Sequence, residues 1–190
     1  AYLWPLLIVL FSGLLPGETL RKGHIVGTLL GLAGATLIIT GGGAGFSSQY
    51  LPGYALAVLG ALTWSGYSVL SRRVGDVPTA SVAVFCLATA ALSFPLHLMW
   101  EETVLPTTTL GWAAIAGLGL GPVGLAFYVW DIGVKQGDIQ LLGTASYAAP
   151  LLSTLVLVIV GVAAPSYILL WAALLITGGA IIAARASFGD

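Results

Sequence analysis

The chain has 190 residues, 58% of them hydrophobic and only 7% charged, with a formal net charge of −1 and a mean hydropathy of +1.04. A soluble domain of this length cannot cover so much apolar side chain with polar surface, so the composition excludes a soluble enzyme or a nucleic-acid-binding module and points to an all-α integral membrane protein. The single cysteine, Cys86, rules out an intrachain disulfide and suggests no metal site, and no cofactor is expected.

Cutting at the polar, Gly and Pro clusters yields seven apolar segments, near 1–15 (shortened at its start), 25–42, 53–72, 80–100, 111–134, 139–163 and 166–185. Each full segment approaches the roughly 20 residues that a membrane helix needs. The chain starts at Ala1 rather than Met, and its only Met is Met99, so it reads as a piece that begins inside an apolar segment. No basic leader precedes that segment.

Arg21 and Lys22 follow the first segment, Arg72 and Arg73 the third, Lys135 the fifth and Arg185 the seventh. All six basic residues thus fall on one face, opposite Glu101 and Glu102. By the positive-inside rule the basic face, with the C-terminus, is cytoplasmic.

The first segment carries Tyr-Leu-Trp-Pro-Leu-Leu at 2–7, and the sixth carries Tyr-Ala-Ala-Pro-Leu-Leu at 147–152, an offset of 145. The same offset brings Gly34-Ala35 of segment two onto Gly179-Ala180 of segment seven. Five helices separate the copies, so they run in opposite directions, as in the inverted repeats from which many carriers are built. The expected architecture is therefore seven of the ten helices of a five-plus-five inverted repeat. Residues 1–42 are the last two helices of the first repeat, 43–52 a connecting loop, 53–186 the complete second repeat, and 187–190 a cytoplasmic tail.

"LPGETLRKGHIVGTLLGLAGATLII" (15–39), "GYALAVLGALTWSGYSVLSRR" (53–73) and "GLAFYVWDIGVKQGDIQLLGTASYAAPLLSTLV" (124–156) resemble the EamA-type drug/metabolite transporters. The Tyr-Leu-Trp-Pro start and "GDVPTASVAVFCLATAALSFPLHL" (75–98) are most similar to the aromatic amino acid exporters of bacterial inner membranes. That resemblance implies a multi-pass inner-membrane carrier whose central cavity is lined by aromatic residues of segments one and three. Gly17-Glu18 fits the family's Gly-Glu element, whereas the repeat counterpart, Ala163-Ala164, carries no acid.

Ionisable side chains within spans usually mark ion coupling or charged cargo. Here none reaches the middle of a segment. Asp131 comes nearest, four residues before Lys135, and reads as an interfacial pair whose lysine snorkels to the surface, with a gate or proton site as the alternative. His97 reads as an interfacial residue.

Trp100, Trp112 and Trp171 at one set of ends, and Trp130 near the other, suit the aromatic belt of a membrane protein. Counting helical rise from the segment ends, Trp64 lies about 12 Å deep, Trp4 about 18 Å and Tyr147 about 13 Å. Tyr67 and Ser68 share the face of Trp64, Tyr2 lies beside Trp4, and Ser146 precedes Tyr147. These seven residues form the candidate substrate pocket, because buried indole N–H and phenol O–H groups call for polar partners.

Pro5 and Pro150, matched in the repeat, and Gly121-Pro122 are candidate hinges, since proline removes a ladder hydrogen bond. Pro95 interrupts the fourth segment in the same way. Gly27-x-x-x-Gly31 and Gly117-x-x-x-Gly121 suit close helix contact.

The expected function is export of small amphipathic metabolites, above all amino acids including aromatic ones, by alternating access. The carrier is expected to act as a uniporter and a monomer, with amino acids and membrane lipids as its partners and no nucleic acid. Proton-coupled efflux of drugs or other metabolites is the alternative. No nucleophile–base pair or phosphate-cradling motif suggests an enzyme.

Overall fold

The computed structural model describes residues 2–41 and 47–188, and among them every regular element is helical. The helices are α1 (Trp4–Ser12), α2 (Lys22–Thr40), α3 (Leu51–Arg73), α4 (Ser81–Trp100), α5 (Thr109–Leu118), α6 (Ala126–Gln136), α7 (Ile139–Ala145), α8 (Ala148–Ile159) and α9 (Tyr167–Phe188). A π-helical stretch, Gly119–Leu125, joins α5 to α6 without a break in direction, and a short 3-10 turn, Ser48–Tyr50, leads into α3.

Six helical stretches are long and apolar enough to cross a bilayer: Lys22–Thr40, Ser48–Arg73, Ser81–Trp100, Thr109–Gln136, Ile139–Ile159 and Tyr167–Phe188. They match the second to seventh expected segments to within a few residues. The first differs. Only Trp4–Ser12 is helical, nine residues or about 13 Å, too short to span. Of the expected 43–52 connection, 43–46 lie outside the described residues, as do Ala1 and the last two positions of the tail.

The basic residues gather at one end of the bundle. Arg21 donates to the carbonyl of Ala186, Arg72 to the carbonyls of Val134 and Gly137, and Lys135 to that of Val77. Glu101 and Glu102 follow α4 at the opposite, acidic end.

The tightest seam runs between antiparallel α2 and α9. Gly23, Gly27, Gly31 and Gly34 recur at helical spacing along α2, and a Cβ at Gly23 would lie 2.6 Å from Cβ of Ala186. Such a run lets backbones meet at van der Waals distance, the main attraction left between helices that lipid already solvates. The Gly27–Gly31 expectation is met here. Around Gly117 and Gly121, in contrast, nothing among the described residues beyond the glycine's own stretch of helix backbone lies within 4 Å of an added Cβ.

The seam contacts come in exchanged pairs at the offset of 145. Gly27 meets Gly179 and Gly34 meets Ala172; Leu30 meets Gly179 and Leu175 meets Gly34; Gly31 meets Gly179 and Gly34 meets Ile176. In each pair, moving one partner up and the other down by 145 turns one contact into the other. A two-fold axis between the helices produces this pattern.

Two of the expected hinges take a different form. Pro5 lies near the start of α1, followed by a Leu7 N–H that bonds the carbonyl of Leu3 at 3.0 Å. The sixth segment breaks at Ser146–Tyr147, between α7 and α8, and Pro150 follows in the first turn of α8. Gly121 and Pro122 lie inside the π-helical stretch, which accommodates the proline by widening the turn rather than by ending the helix. Pro95 is carried within a continuous α4.

Candidate functional site

Helices α3 and α6 face each other with matched spacing. Trp64, Tyr67, Ser68 and Ser71 lie on one stripe of α3, and Phe127, Trp130, Asp131 and Val134 on one stripe of α6, each at steps of three, four and seven. Two cross-links a turn apart join the stripes. The Trp130 indole N–H donates to Ser68 Oγ at 3.0 Å, and Ser71 donates to Asp131 Oδ1 at 2.6 Å. Ser68 in turn donates to the carbonyl of Trp64 at 2.9 Å, so one hydroxyl serves both helices.

Between the stripes the rings close into a cluster, with Trp4 of α1 at its edge. The Trp4 ring stands edge-on to Trp64 (6.4 Å, 90°) and to Trp130 (5.4 Å, 83°). Trp64 lies closer to parallel with Trp130 (5.9 Å), Phe127 (5.2 Å) and Tyr67 (5.6 Å), each at about 32–36°. Offset and edge-on geometries are those that aromatic quadrupoles favour.

On the far side of Trp64 and Tyr67 a cavity of about 510 Å³ opens against α4, walled also by Val82, Phe85, Cys86, Thr89, Ala90, Val123 and Phe127. Its size and apolar lining suit a small aromatic or amphipathic molecule. A second, shallower hollow lies along α4 toward the acidic end, lined by Ala90, Ser93, Phe94, His97, Trp100 and Glu101.

At the basic end the site is closed off by polar links. Asp131 is 1% exposed and accepts from Ser71, from Thr79 at 2.8 Å and from Lys135 at 2.7 Å. Lys135 also donates to the carbonyl of Val77 at 2.7 Å, and its side chain is 8% exposed. The snorkelling pair expected from the sequence is therefore a buried knot, because α3 and the loop after it bring hydroxyls and a carbonyl that replace water around both charges. Arg72 adds an ion pair to Glu18 and bonds of 2.7 Å to the carbonyls of Val134 and Gly137.

The structure thus brings together Trp4, Trp64, Tyr67 and Ser68 of the expected pocket. Tyr147 lies elsewhere. It is fully buried against Gly31 and Ala35, and its hydroxyl donates to the carbonyl of Tyr2 at 3.1 Å. Ser146 donates to the carbonyl of Leu142 within its own helix at 2.7 Å. The carbonyl four residues before Pro150, that of Ser146, accepts from the Ala149 N–H at 3.1 Å.

Trp130 and Phe127 belong to the cluster although sequence reasoning passed them over. By sequence position, near the inner end of its segment, Trp130 reads as an interfacial belt residue. The matched spacing of the α3 and α6 stripes was the available signal. Trp100, Trp112 and Trp171 do stay largely exposed near helix ends, as a belt requires. Among the described residues His97 bonds locally, to Glu101 (2.6 Å) and Thr103 (2.9 Å).

Residues 51–185 match the model of the EamA-like transporter family. The chain is 57% identical over 185 residues to the aromatic amino acid exporter YddG of Ancylobacter novellus, covering 96% of this chain and 64% of that protein. It is 26% identical over 191 residues to the protein of the same name from Escherichia coli, covering 95% and 64%. A solved crystal structure superposes with a TM-score of 0.91 at 57% identity, covering 96% of this chain and 65% of that one. The chain thus spans slightly less than two thirds of the length of these relatives.

Proposed function

The chain belongs to the EamA-like transporter family, a family of multi-pass membrane transporters rather than enzymes, and from that premise we propose that it forms part of a carrier exporting aromatic amino acids across a bacterial inner membrane. The observation that carries the reading is the cavity beside Trp64 and Tyr67. Its walls are apolar and aromatic, it adjoins a cluster of three tryptophans, and no charged side chain lines it, while Asp131 on the neighbouring stripe is paired with Lys135. Such a site suits a flat apolar ring on a molecule of no net charge. The names of the relatives from Ancylobacter novellus and Escherichia coli point to the same cargo.

Trp4, Trp64, Tyr67 and Ser68 wall or position the cargo, with Phe127 and Trp130 behind them. Tyr2, Ser146 and Tyr147 act at the α7–α8 break, where movement would change their bonds. The Tyr-x-x-Pro-Leu-Leu and Gly-Ala matches at the offset of 145 support an inverted repeat, and with it a ten-helix carrier to which this chain contributes seven helices. Residues 1–42 then close the first repeat, 43–52 connect, and 53–186 form the second. The basic end, with the C-terminus, faces the cytoplasm. The carrier works as a monomer by alternating access, with the α7–α8 break at Pro150 and the π-helical stretch at Gly121-Pro122 as its flexible points.

Movement is downhill and independent of protons, because Asp131 is held by a lysine and two hydroxyls rather than facing the cavity alone. The test is uptake of labelled phenylalanine and tryptophan by proteoliposomes of the full-length protein, with and without an imposed proton gradient. Saturable uptake that ignores the gradient and collapses in Trp64→Ala is expected. Uptake that requires the gradient would favour proton-coupled efflux instead, and saturable uptake untouched by Trp64→Ala would remove the cavity from the pathway.

A further inference from the structure

One face of α4 meets the cavity. Val82, Phe85, Cys86, Thr89 and Ala90 recur at steps of three and four, and all five line it together with Trp64, Tyr67 and Phe127. Thr89 stands eight residues beyond Ser81, and Trp64 eight before Arg72, so both lie about 12 Å from the basic end. The Thr89 hydroxyl is therefore at the depth of the Trp64 indole.

That hydroxyl is already half used. It donates to the carbonyl of Phe85, four residues back, at 2.9 Å. This bond commits the single O–H proton to the helix. What the oxygen then presents is lone pairs, so it can accept from a cargo but has no proton to give one. Thr89 is exposed, so the oxygen can be reached.

An amino acid entering this cavity brings an ammonium with three N–H donors and a carboxylate that only accepts. Among the described residues no charged side chain lines the cavity, and a charge taken out of water without a partner is costly. A hydroxyl that can only accept serves the ammonium and not the carboxylate. We propose that Thr89 is a specificity-determining residue: it accepts a hydrogen bond from the cargo's ammonium, and so favours aromatic amino acids and amines over aromatic acids that lack the amino group. Trp64 and Phe127 hold the flat ring, while Thr89 fixes which end of the cargo faces α4. This rests on the transport reading and assigns one polar contact within it.

The test is competition against uptake of labelled phenylalanine by proteoliposomes of the full-length protein. Phenethylamine keeps the ammonium and lacks the carboxylate; 3-phenylpropionate does the reverse. In wild type, phenethylamine is expected to compete roughly tenfold better, the size of one hydrogen bond to a charged group. Thr89→Val keeps the side-chain shape and removes the oxygen. The KM for phenylalanine is expected to rise roughly tenfold with kcat little changed, competition by phenethylamine to weaken by the same factor, and competition by 3-phenylpropionate to stay as it was. Thr89→Ser keeps the acceptor and is expected to remain near wild type.

Equal competition by the two analogues in wild type overturns the proposal, and that comparison decides alone should Thr89→Val fail to fold. An unchanged KM in folded Thr89→Val overturns it too, as does equal weakening of both competitors, which would report a change of shape rather than the loss of an acceptor. Thr89→Ser behaving like Thr89→Val has the same force. Each of these results leaves the transport reading in place so long as wild type takes up phenylalanine and Trp64→Ala does not. Absence of saturable uptake in wild type overturns the transport reading and this assignment with it.

Discussion

Replacing Gly27 with alanine adds one methyl group at the tightest point between α2 and α9. The new Cβ would fall on the carbonyl oxygen of Gly179 and lie 3.0 Å from both Cβ and the backbone nitrogen of Ala183. Two of these three neighbours are helix backbone, which cannot swing aside as a side-chain tip would. The helices must separate by about 1 Å to restore ordinary contact, and the loosening is shared along the seam. Overpacking of this kind costs roughly 1–3 kcal/mol, of which alanine's better helix propensity offsets up to about 1 kcal/mol. A net loss of about 1–2 kcal/mol corresponds to a fall of about 2–8 °C in melting temperature for a chain of this size. The measurement is the monodisperse fraction that survives heating in mild detergent. Because the contact is reciprocal, Gly179→Ala is expected to cost about as much. The double variant is expected to cost less than the sum, since helices already parted have room for the second methyl. Unchanged stability in either single variant, or strict additivity in the double, would refute the reasoning.

Ser68→Ala leaves the Trp130 indole N–H without its acceptor, a loss of about 1–3 kcal/mol; Trp130→Phe in the same background should recover part of that loss in the same heating assay. Asp131→Asn leaves the buried Lys135 ammonium without a counter-charge, a loss of about 3–5 kcal/mol, and adding Lys135→Met should restore most of the stability. If the single and double variants melted together, the Asp131–Lys135 pair would be a surface feature after all. Tyr147→Phe removes only the hydroxyl bond to the Tyr2 carbonyl, about 0.5–1.5 kcal/mol, and should lower the melting temperature slightly without abolishing uptake.

The sequence by itself determined the class of the protein, the bounds of six spanning helices to within a few residues, and the gathering of basic residues at one end. It also carries the Tyr-x-x-Pro-Leu-Leu pattern twice, 145 residues apart, because hydropathy, helix length and self-similarity are properties of a single stretch of chain. It picked out Trp4, Trp64, Tyr67 and Ser68, whose depth could be counted from the segment ends. What only the tertiary structure decided is which face of each helix meets which neighbour. Trp130, five residues from a lysine, is indistinguishable by depth from a belt residue, yet the rotation of α6 turns it onto Trp64 and Ser68. The same rotation buries Asp131 between two hydroxyls and Lys135. Tyr147 has the depth of a pocket residue, but the absence of a side chain at Gly31 draws its ring into the α2 seam instead. Depth is set along the helix axis and can be read from residue number; azimuth depends on partners far away in the chain, and only packing supplies those.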